Sequence, residues 1–335
     1  MHLPLGKVPA EVLQKMVIQS LVPDKDVVVG PEIGVDFAVV DLDGKYLIVA
    51  SDPITGVQSN IGWYAVNVCA NDVATSGSRP RFLETVILLP RGAKSLLVGE
   101  ISQQISSAAS KLQMSIIGGH TELTQGIDRP IVVVTAMGFA DKFVTSRDVR
   151  EGDVMMVTKT AAIEGTAILA TAFKDKLVTY DSSIMKKVDA SRSKISVVED
   201  AVTAFETGFI HAMHDPTEGG ILGGAYEMSV SSKVGFEILE EDVPIASETK
   251  TICEVLNIDP LKLISSGSLL MAVDPEGVED VRLALRKSGI DATEVGRFRE
   301  QRRILTRKDG YKESVNESPV DELWITMGDD GYKVK

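Results

Sequence analysis

The sequence has 335 residues, of which 44% are hydrophobic and 25% charged, so it is long enough for two domains of ordinary globular composition. Its net charge of −13 argues against a nucleic-acid backbone or an anionic membrane as the main partner. Two cysteines, Cys69 and Cys253, are too few for a disulfide framework or a cysteine-only metal site. We expect a cytoplasmic protein, since we find neither a signal-peptide core nor an apolar window of membrane-spanning length.

The first half of the chain mixes predicted strands and helices. A short helix is expected at 9–20, followed by two strands, FAVVDL and KYLIVAS, that Asp43 and Gly44 join as a hairpin. A second helix is predicted at about 62–76, and apolar residues at helical spacing in KSLLVGEISQQISSAASKLQM predict a third. Further strands are predicted at RFLETVILLP, at SIIGGHTE, which should end at its paired glycines, and at PIVVVTAMGFA. This pattern predicts an α/β fold with mixed sheets.

A polar stretch, TSRDVREGD, marks the predicted boundary between a domain at 1–148 and a domain at 149–335. The second domain should repeat the mixed style, with a strand at VMMVTKT, a helix after IEGTAILA and a long amphipathic helix at about 184–213. The loop HDPTEGG is expected to open another helix. The polar tail, ITMGDDGYKVK, is expected to be loosely held.

Four acidic residues lie apart from the charge-rich surface stretches: Asp36, Asp52, Asp72 and Glu122. Asp72 lies within NVCANDVATSG, in an otherwise apolar helix, where a buried carboxylate without a partner would be costly. Acids at the ends of apolar elements beside glycine turns suit Mg²⁺, which takes oxygen ligands and leaves room for water and phosphate. Each acid alone is also explained as a cap or turn residue. For the set of four we favour a metal site.

Three glycine-bearing segments, GPEIGVD, GGHTE and DPTEGG, offer backbone N–H groups to a phosphate. Gly219 and Gly220 open a helix, where the helix dipole favours an anion. The alternative is that these glycines only close turns. Because the sequence contains neither a Walker loop nor a GxGxxG after a strand, a nucleotide site would use another scaffold. His120, between Gly119 and Thr121, is either a general base or phosphate ligand or a hydrogen-bonded structural histidine.

Taken in order, GxxIGxDxAVV, SDP, AVNVCANDVATSGSRPR, GGHTE, EGTAILA and HDPTEGG resemble the AIR synthase-related (PurM-like) superfamily, from about residue 5 to about residue 275. Within it the chain looks similar to hydrogenase-maturation proteins of the HypE type and their archaeal relatives. The resemblance implies two α/β domains, N-terminal domains that pair in a homodimer, and ATP bound with Mg²⁺ between the domains. It also implies ATP-dependent transfer of the γ-phosphoryl group to an amide or carbonyl oxygen, which makes a leaving group.

The resemblance also implies roles for individual residues. Asp36, Asp52 and Asp72 fall on the family's metal-binding aspartates, and Glu122 is expected to be a metal ligand or to support one. Cofactor contacts are implied at Lys7, Asn71, Gly118, Gly119, Thr121, Thr217, Gly219 and Gly220. His120 and Asp215 are the candidate catalytic residues.

The sequence departs from the HypE type in several respects, one of which concerns the acceptor. That carbamoyl dehydratase acts on the thiol of its own C-terminal cysteine, and no cysteine follows Cys253 here. We therefore predict an ATP- and Mg²⁺-dependent enzyme that activates a carbonyl, amide or carboxylate oxygen of a small molecule. Two alternatives stay open: an ATP-binding assembly or sensing protein associated with hydrogenase maturation, and a phosphotransferase like thiamine-monophosphate kinase.

Overall fold

The computed structural model describes Leu3, residues 6–57 and residues 59–328. Contacts within this part of the chain divide it into two compact units. The N-unit comprises Asp24–Gly30 and Asp36–Phe143. The C-unit comprises the described residues of Met1–Pro23, Pro31–Val35 and Val144–Lys335. The boundary between residues 148 and 149 stays a prediction; no sequence pattern indicated that two N-terminal segments would group with the C-unit.

The N-terminal segment of the C-unit forms helix α1 (Ala10–Met16) and a 3₁₀ turn (Ile18–Ser20). This confirms the helix predicted at 9–20. Each described residue of both elements is at least partly exposed to solvent.

The N-unit is built on a six-stranded sheet with the order β1-β2-β3-β6-β4-β5. Its strands are β1 (Val27–Val29), β2 (Ala38–Asp41), β3 (Tyr46–Ile54), β4 (Pro80–Pro90), β5 (Ser115–Thr124) and β6 (Ile131–Ala140). Only the β4–β5 pair among these strands is parallel. Asp43 and Gly44, with φ of 55° and 95°, form the predicted hairpin turn between β2 and β3, because both adopt the left-handed conformation that a tight hairpin needs.

Two helices, α2 (Ile61–Ala74) and α3 (Ser95–Lys111), belong to the N-unit, and α2 packs on β3, β6 and α3. Alternate strand residues such as Ile48, Leu83 and Val134 are fully buried. The N-unit core therefore follows from the two-residue period of its strands.

The other sheet face, which we call the open face, carries Leu47, Val49, Val86, Val133 and Met137. The register pairs Val49 with Met137 and Val86 with Val133, so these side chains share one face. Each is only partly buried. The open face is therefore an apolar surface that the described residues cover incompletely.

Strand β5 corrects the prediction that SIIGGHTE ends at its paired glycines. Gly118 and Gly119 lie inside the strand, which runs on to Thr124 beside a register shift in β4. Gly119 has a φ of 155°, and a Cβ there would lie 2.3 Å from the carbonyl oxygen of Thr85. Glycine is needed here because the neighbouring strand approaches too closely for any side chain.

The C-unit contains a seven-stranded sheet with the order β13-β12-β9-β11-β7-β10-β8, and only β12 and β9 pair in parallel among these strands. Its strands are β7 (Val154–Thr158), β8 (Ile210–His214), β9 (Gly235–Leu239), β10 (Leu270–Val273), β11 (Ala292–Arg299), β12 (Arg303–Thr306) and β13 (Lys312–Ser314). Its further helices are α4 (Ile163–Ala172), α5 (Lys174–Tyr180), α6 (Ile184–Arg192), α7 (Val198–Glu206), α8 (Gly220–Ser232), α9 (Ser247–Leu256), α10 (Val278–Lys287) and α11 (Glu322–Met327).

Three predictions for this unit are corrected. IEGTAILA is itself helix α4, with α5 following it. The long helix predicted at 184–213 is divided into α6, α7 and β8, because Gly208 takes a left-handed φ of 81° and the next residues pair with buried β10. The tail begins within α11, where Met327 is buried, and residues 329–335 lie outside the described residues.

The C-unit core forms between its sheet and helix α8. Phe236, Phe298, Met155 and Leu270 from the sheet belong to one fully buried cluster with Leu222 of α8. In the described part of the chain, the helices lack the combined length and hydropathy of a membrane span.

Candidate functional site

Helix α2 buries the polar residues of the NVCANDVATSG segment. Every residue of α2 except Trp63 is buried, so the helix does not turn these groups to solvent. Asn67 is satisfied within the helix, where its Nδ2 donates to the carbonyl oxygen of Trp63 at 2.8 Å. Asn71 and Asp72 are 0% and 6% exposed. Because water does not solvate the Asp72 carboxylate freely, its charge must be balanced by neighbouring groups or by a cation.

The predicted metal ligands Asp36 and Asp52 lie at the same end of the β2–β3 pair. Asp52 is in β3, opposite Val134. Asp36 precedes β2, and continuing the antiparallel register from Ala38 and Val49 brings it opposite Ser51. Both aspartates are partly buried.

The third aspartate reaches this sheet through helix α2. The Cys69 thiol donates to the carbonyl oxygens of Ala50 at 3.3 Å and Val134 at 3.2 Å, which fixes α2 against β3 and β6. Asp52 lies two residues after Ala50, and Asp72 three residues after Cys69. The three aspartates therefore come from neighbouring elements of the N-unit, and their joint binding of one cation stays a prediction.

Strand β5 presents His120 and Glu122 on one face. The Nε2 atom of His120 lies 3.1 Å from Oε2 of Glu122, and the two side chains are 63% and 48% exposed. They lie beside Val86 and Leu88, at the edge of the open face, whereas Thr121 points to the other face of the sheet. His120 is thus a solvent-accessible histidine paired with a carboxylate, and its role as a general base stays a prediction.

In the C-unit, the loop after β8 is held by a chain of ionic contacts. His214 Nε2 lies 2.8 Å from Oε2 of Glu227 on α8, and Lys7 Nζ lies 3.2 Å from the other oxygen of the same carboxylate. Lys7 also donates its backbone N–H to Glu218 Oε2 at 2.8 Å. Burial alone would raise the pKa of Glu227, but the Lys7 ammonium and the His214 imidazole together lower it to about 2. Lys7 therefore contacts a carboxylate here, and its contact with phosphate stays a prediction.

Residues 217–220 form what we call the glycine turn, in which Gly219 and Gly220 have φ of 82° and 64°. The N–H of Gly219 donates to Asp321 Oδ2 at 2.6 Å, and the N–H of Gly220 donates to the carbonyl oxygen of Thr217 at 3.0 Å. Asp215, just before the turn, is 1% exposed. The glycine amides are thus engaged within the C-unit, and their contacts with a phosphate stay predictions.

Sequence reasoning missed two acids at this loop, Glu227 and Asp321. Glu227 stands alone among the apolar and small residues of GILGGAYEMSV, which is the signal that could have indicated it. Asp321 precedes the first turn of α11 and accepts the N–H of Leu323, so a helix cap was predictable there. Its contact with Gly219 spans 102 residues of sequence and leaves no local signal.

His211 and His214 lie three residues apart on β8, a spacing that raises the question of a shared metal, but they have separate partners. His211 Nδ1 lies 2.9 Å from Asp153 Oδ1, whereas His214 bonds to Glu227. Each imidazole therefore has its own carboxylate, and the geometry gives no support to a shared metal.

These features define a class of protein: a two-domain α/β protein with a mixed sheet in each domain, a buried Asn-Asp pair in the first and a glycine turn before a helix in the second. The chain belongs to the AIR synthase related protein family, whose N-terminal domain matches residues 34–140 and whose C-terminal domain matches residues 150–307. The family predicted from the sequence motifs is thus confirmed.

Similar proteins carry names from hydrogenase maturation. A Methanocaldococcus jannaschii protein named for hydrogenase expression/formation is 29% identical over 296 residues, covering 86% of each chain. The carbamoyl dehydratase HypE of Rhizobium leguminosarum is 28% identical over 268 residues, covering 77% of this chain and 75% of that one. A crystal structure of the hydrogenase maturation protein HypE in complex with ATP has a TM-score of 0.70 at 21% identity, covering 92% of this chain and 93% of that one. At 21% identity, this structural similarity shows a shared fold and nothing further.

Proposed function

We propose that this chain is an ATP- and Mg²⁺-dependent enzyme that phosphorylates a carbonyl, amide or carboxylate oxygen of a small molecule. The observation that carries the proposal is the burial of Asp72 beside Asn71 in helix α2, in a chain whose relatives include carbamoyl dehydratases. A buried carboxylate at a helix–sheet junction is expensive, and a cation is the partner that most reduces that cost.

The donor set fits magnesium. Asp36, Asp52 and Asp72 offer only carboxylate oxygens, which Mg²⁺ prefers, and these residues would hold the ion. When bound, the ion would neutralise charge on the transferred phosphoryl group. Glu122 lies within hydrogen-bond distance of His120, which would accept the N–H proton that an amide loses as its oxygen is phosphorylated, and Asp215 is the second candidate catalytic residue.

The protein's own thiols do not fit the role of phosphoryl acceptor. Burial raises the pKa of the Cys253 thiol to about 12, so it stays protonated at neutral pH. Cys69 is fully buried and donates to two backbone carbonyls. Because neither thiol suits the role of phosphoryl acceptor, we propose that the acceptor is an oxygen of a small molecule.

The proposal is tested by titration calorimetry with MgATP, followed by phosphate-release assays across a panel of metabolites that contain amide or carboxylate groups. We expect MgATP to bind, EDTA to remove the binding, and one class of metabolite to stimulate phosphate release. Absence of MgATP binding would contradict the proposal. Binding with slow, unstimulated release would support an assembly or sensing protein, and a diphosphate product would support a phosphotransferase.

We further propose that two copies of the chain pair through the open face of the N-unit. Strand β5, at the edge of the sheet, is exposed along nearly its whole length, with Ile116, Ile117 and Leu123 46%, 53% and 58% exposed. An exposed edge strand beside an apolar sheet face is a template for association, and a second copy offers a surface of the same character.

We expect the Val86→Asp variant to be monomeric, because pairing would bury one unpaired carboxylate from each copy in the open face. Sedimentation velocity should give twice the 36.1 kDa chain mass for the parent and a single chain mass for the variant. Leu283→Asp is the matched control, since Leu283 is 52% exposed on α10 of the C-unit and is not part of the open face. A Val86→Asp variant that still sediments as a dimer would rule out this interface.

A further inference from the structure

The glycine turn of the C-unit is held by a segment that lies about 40 residues further along the chain. This segment, residues 259–265, precedes β10, and we call it the supporting segment. The carbonyl oxygen of Leu261 accepts the N–H of Leu222, in the first turn of α8, at 3.1 Å. The N–H of Ser265 donates to the carbonyl oxygen of Thr217 at 3.3 Å. The supporting segment therefore helps to set the position of the glycine turn.

Arg307 holds the supporting segment against the hairpin that joins β12 and β13. It begins the hairpin turn, where its backbone N–H donates to the carbonyl oxygen of Tyr311 at 2.8 Å. Its Nη1 donates to Asp259 Oδ2 at 2.9 Å, and its Nε and Nη2 donate to Glu313 Oε2 at 2.9 and 2.6 Å. The other oxygen of Asp259 accepts the N–H of Leu261 at 3.0 Å. A chain of hydrogen bonds thus runs from the hairpin to the residue that contacts α8.

We propose that Arg307 is a positioning residue for the glycine turn and that it acts through Asp259 and Leu261. The proposal rests on the proposed function, in which the glycine turn contacts the nucleotide. The C-terminal family match ends at residue 307, so the Glu313 partner of this arginine lies beyond it. The affinity for MgATP is therefore expected to depend on a side chain that the nucleotide does not touch.

The guanidinium group suits this role because of its shape. It presents its donors in a rigid planar fork, whereas the lysine ammonium is a single point charge on a flexible stem. In Arg307 the fork binds one carboxylate of the supporting segment and one of the hairpin. Hydrogen bonds between charged groups are about twice as strong as neutral ones. Arg307 therefore fixes the distance between the Asp259 and Glu313 carboxylates.

The charges around Arg307 show what its removal would do. Besides its two hydrogen-bonded partners, Glu240 places Oε2 3.8 Å from Nη1, so three carboxylates share one guanidinium. Two ammonium groups lie near this cluster, at 4.0 Å from Asp259 and 3.9 Å from Glu240: those of Lys262 and Lys308. Without the guanidinium these longer contacts must balance three acids that repel each other. We expect Asp259 to turn toward solvent in such a variant.

A displaced Asp259 side chain would affect the start of α8. Leu261 would lose the acceptor of its N–H, which leaves its carbonyl group less firmly held. This carbonyl oxygen lies 2.6 Å from the position that a Cβ on Gly220 would take, so the turn follows its movement closely. Nucleotide affinity falls in proportion to the fraction of molecules in which the turn is correctly placed. The expected effect of removing Arg307 is thus weaker binding, not fewer folded chains.

Titration calorimetry of Arg307→Gln with MgATP tests this expectation. We expect the dissociation constant to rise about tenfold while the number of sites per chain stays at the parental value. A variant that had only lost stability would bind with parental affinity through fewer folded chains. Arg307→Lys restores the charge without the planar fork, so its dissociation constant should rise only about threefold.

The matched control is Arg282→Gln. Arg282 also binds two carboxylates, Glu279 and Glu294, and its side chain is 27% exposed, compared with 21% for Arg307. It lies on α10, which packs on α7 and β11 of the same unit. We expect Arg282→Gln to lose a similar amount of unfolding free energy and to bind MgATP like the parent.

Hydrogen exchange provides a second measurement that needs no nucleotide. We expect the Leu222 amide to exchange about tenfold faster in Arg307→Gln, with Arg307→Lys between this value and the parent, because its acceptor on Leu261 is less firmly held. Arg282→Gln should leave this exchange unchanged. Asp259→Asn should also speed it, and adding Arg307→Gln should bring little further change, since both residues act in one chain of contacts.

The proposal is overturned if Arg307→Gln has the parental dissociation constant for MgATP or the parental exchange rate at Leu222. It is also overturned if Arg282→Gln changes either quantity as much, since the effect would then follow from lost stability. If Arg307→Gln does not fold, Arg307→Lys and Asp259→Asn decide by the same measurements. If the parent does not bind MgATP, the proposed function fails, and the exchange at Leu222 alone decides the positioning role.

Discussion

The Asp72→Asn variant should lose MgATP binding and turnover while remaining folded. Asparagine has nearly the shape of aspartate, so the buried site on α2 keeps its packing, but the charge that would hold Mg²⁺ is gone. Removing one charged ligand of a phosphoryl-transfer site lowers turnover by a factor on the order of 100 or more. Calorimetry with MgATP and a phosphate-release assay measure the two effects separately.

The control for this variant is Asp141→Asn. Asp141 belongs to the same N-unit, and its side chain is 83% exposed near Lys45, so the substitution removes the same charge from the surface. We expect Asp141→Asn to bind MgATP like the parent. If Asp72→Asn also binds MgATP with parental affinity, Asp72 does not hold the metal and the buried acid has a structural role.

The first domain was largely predictable because its elements are local. The β2–β3 hairpin follows from Asp43 and Gly44, whose left-handed conformations the sequence pair Asp-Gly favours. The continuation of β5 through Gly118 and Gly119 was not predictable, since glycine pairs usually mark turns. Here they mark a close approach of β4, and only the three-dimensional register shows it.

The segment 184–213 shows why periodicity misleads when elements are short. Ile184 and Val188 of α6 and Val198 of α7 continue one helical spacing, and the apolar residues of β8 extend it. A five-residue strand buried in a sheet has the same apolar character as a buried helix segment. What makes it a strand is its pairing with β10, which lies far away in sequence.

The residues of the candidate site also differ in whether the sequence predicts them. The sequence alone indicates Asp72, because an acid within an apolar helix needs an explanation wherever that helix lies in the fold. Nothing local marks Asp321, whose environment is built by the glycine turn and by Ile264. Residues that orient a site through contacts distant in sequence cannot be identified from a single sequence.

The Gly220→Ala variant should lose about 3 kcal/mol of unfolding free energy. Gly220 has a φ of 64°, and a Cβ there would lie 2.6 Å from the carbonyl oxygen of Leu261 and 2.7 Å from that of Leu263. Both atoms belong to the backbone, so neither can rotate away. Leu261 also accepts the N–H of Leu222 at 3.1 Å, and a shift of its carbonyl would weaken the first turn of α8. Chemical denaturation followed by circular dichroism measures the loss.

The matched control is Gly289→Ala, since Gly289 has a similar φ of 75° but nothing within 4 Å of its added Cβ. We expect this variant to lose only about 1 kcal/mol of unfolding free energy, which is the cost of placing alanine in a left-handed conformation. The difference between the two losses of unfolding free energy therefore measures the cost of the close approach at the glycine turn, apart from the cost of the backbone conformation. If both variants lose the same unfolding free energy, the glycine turn accommodates a methyl group without further cost. Glycine would then be required there for its backbone conformation and not for the tight packing at the start of α8.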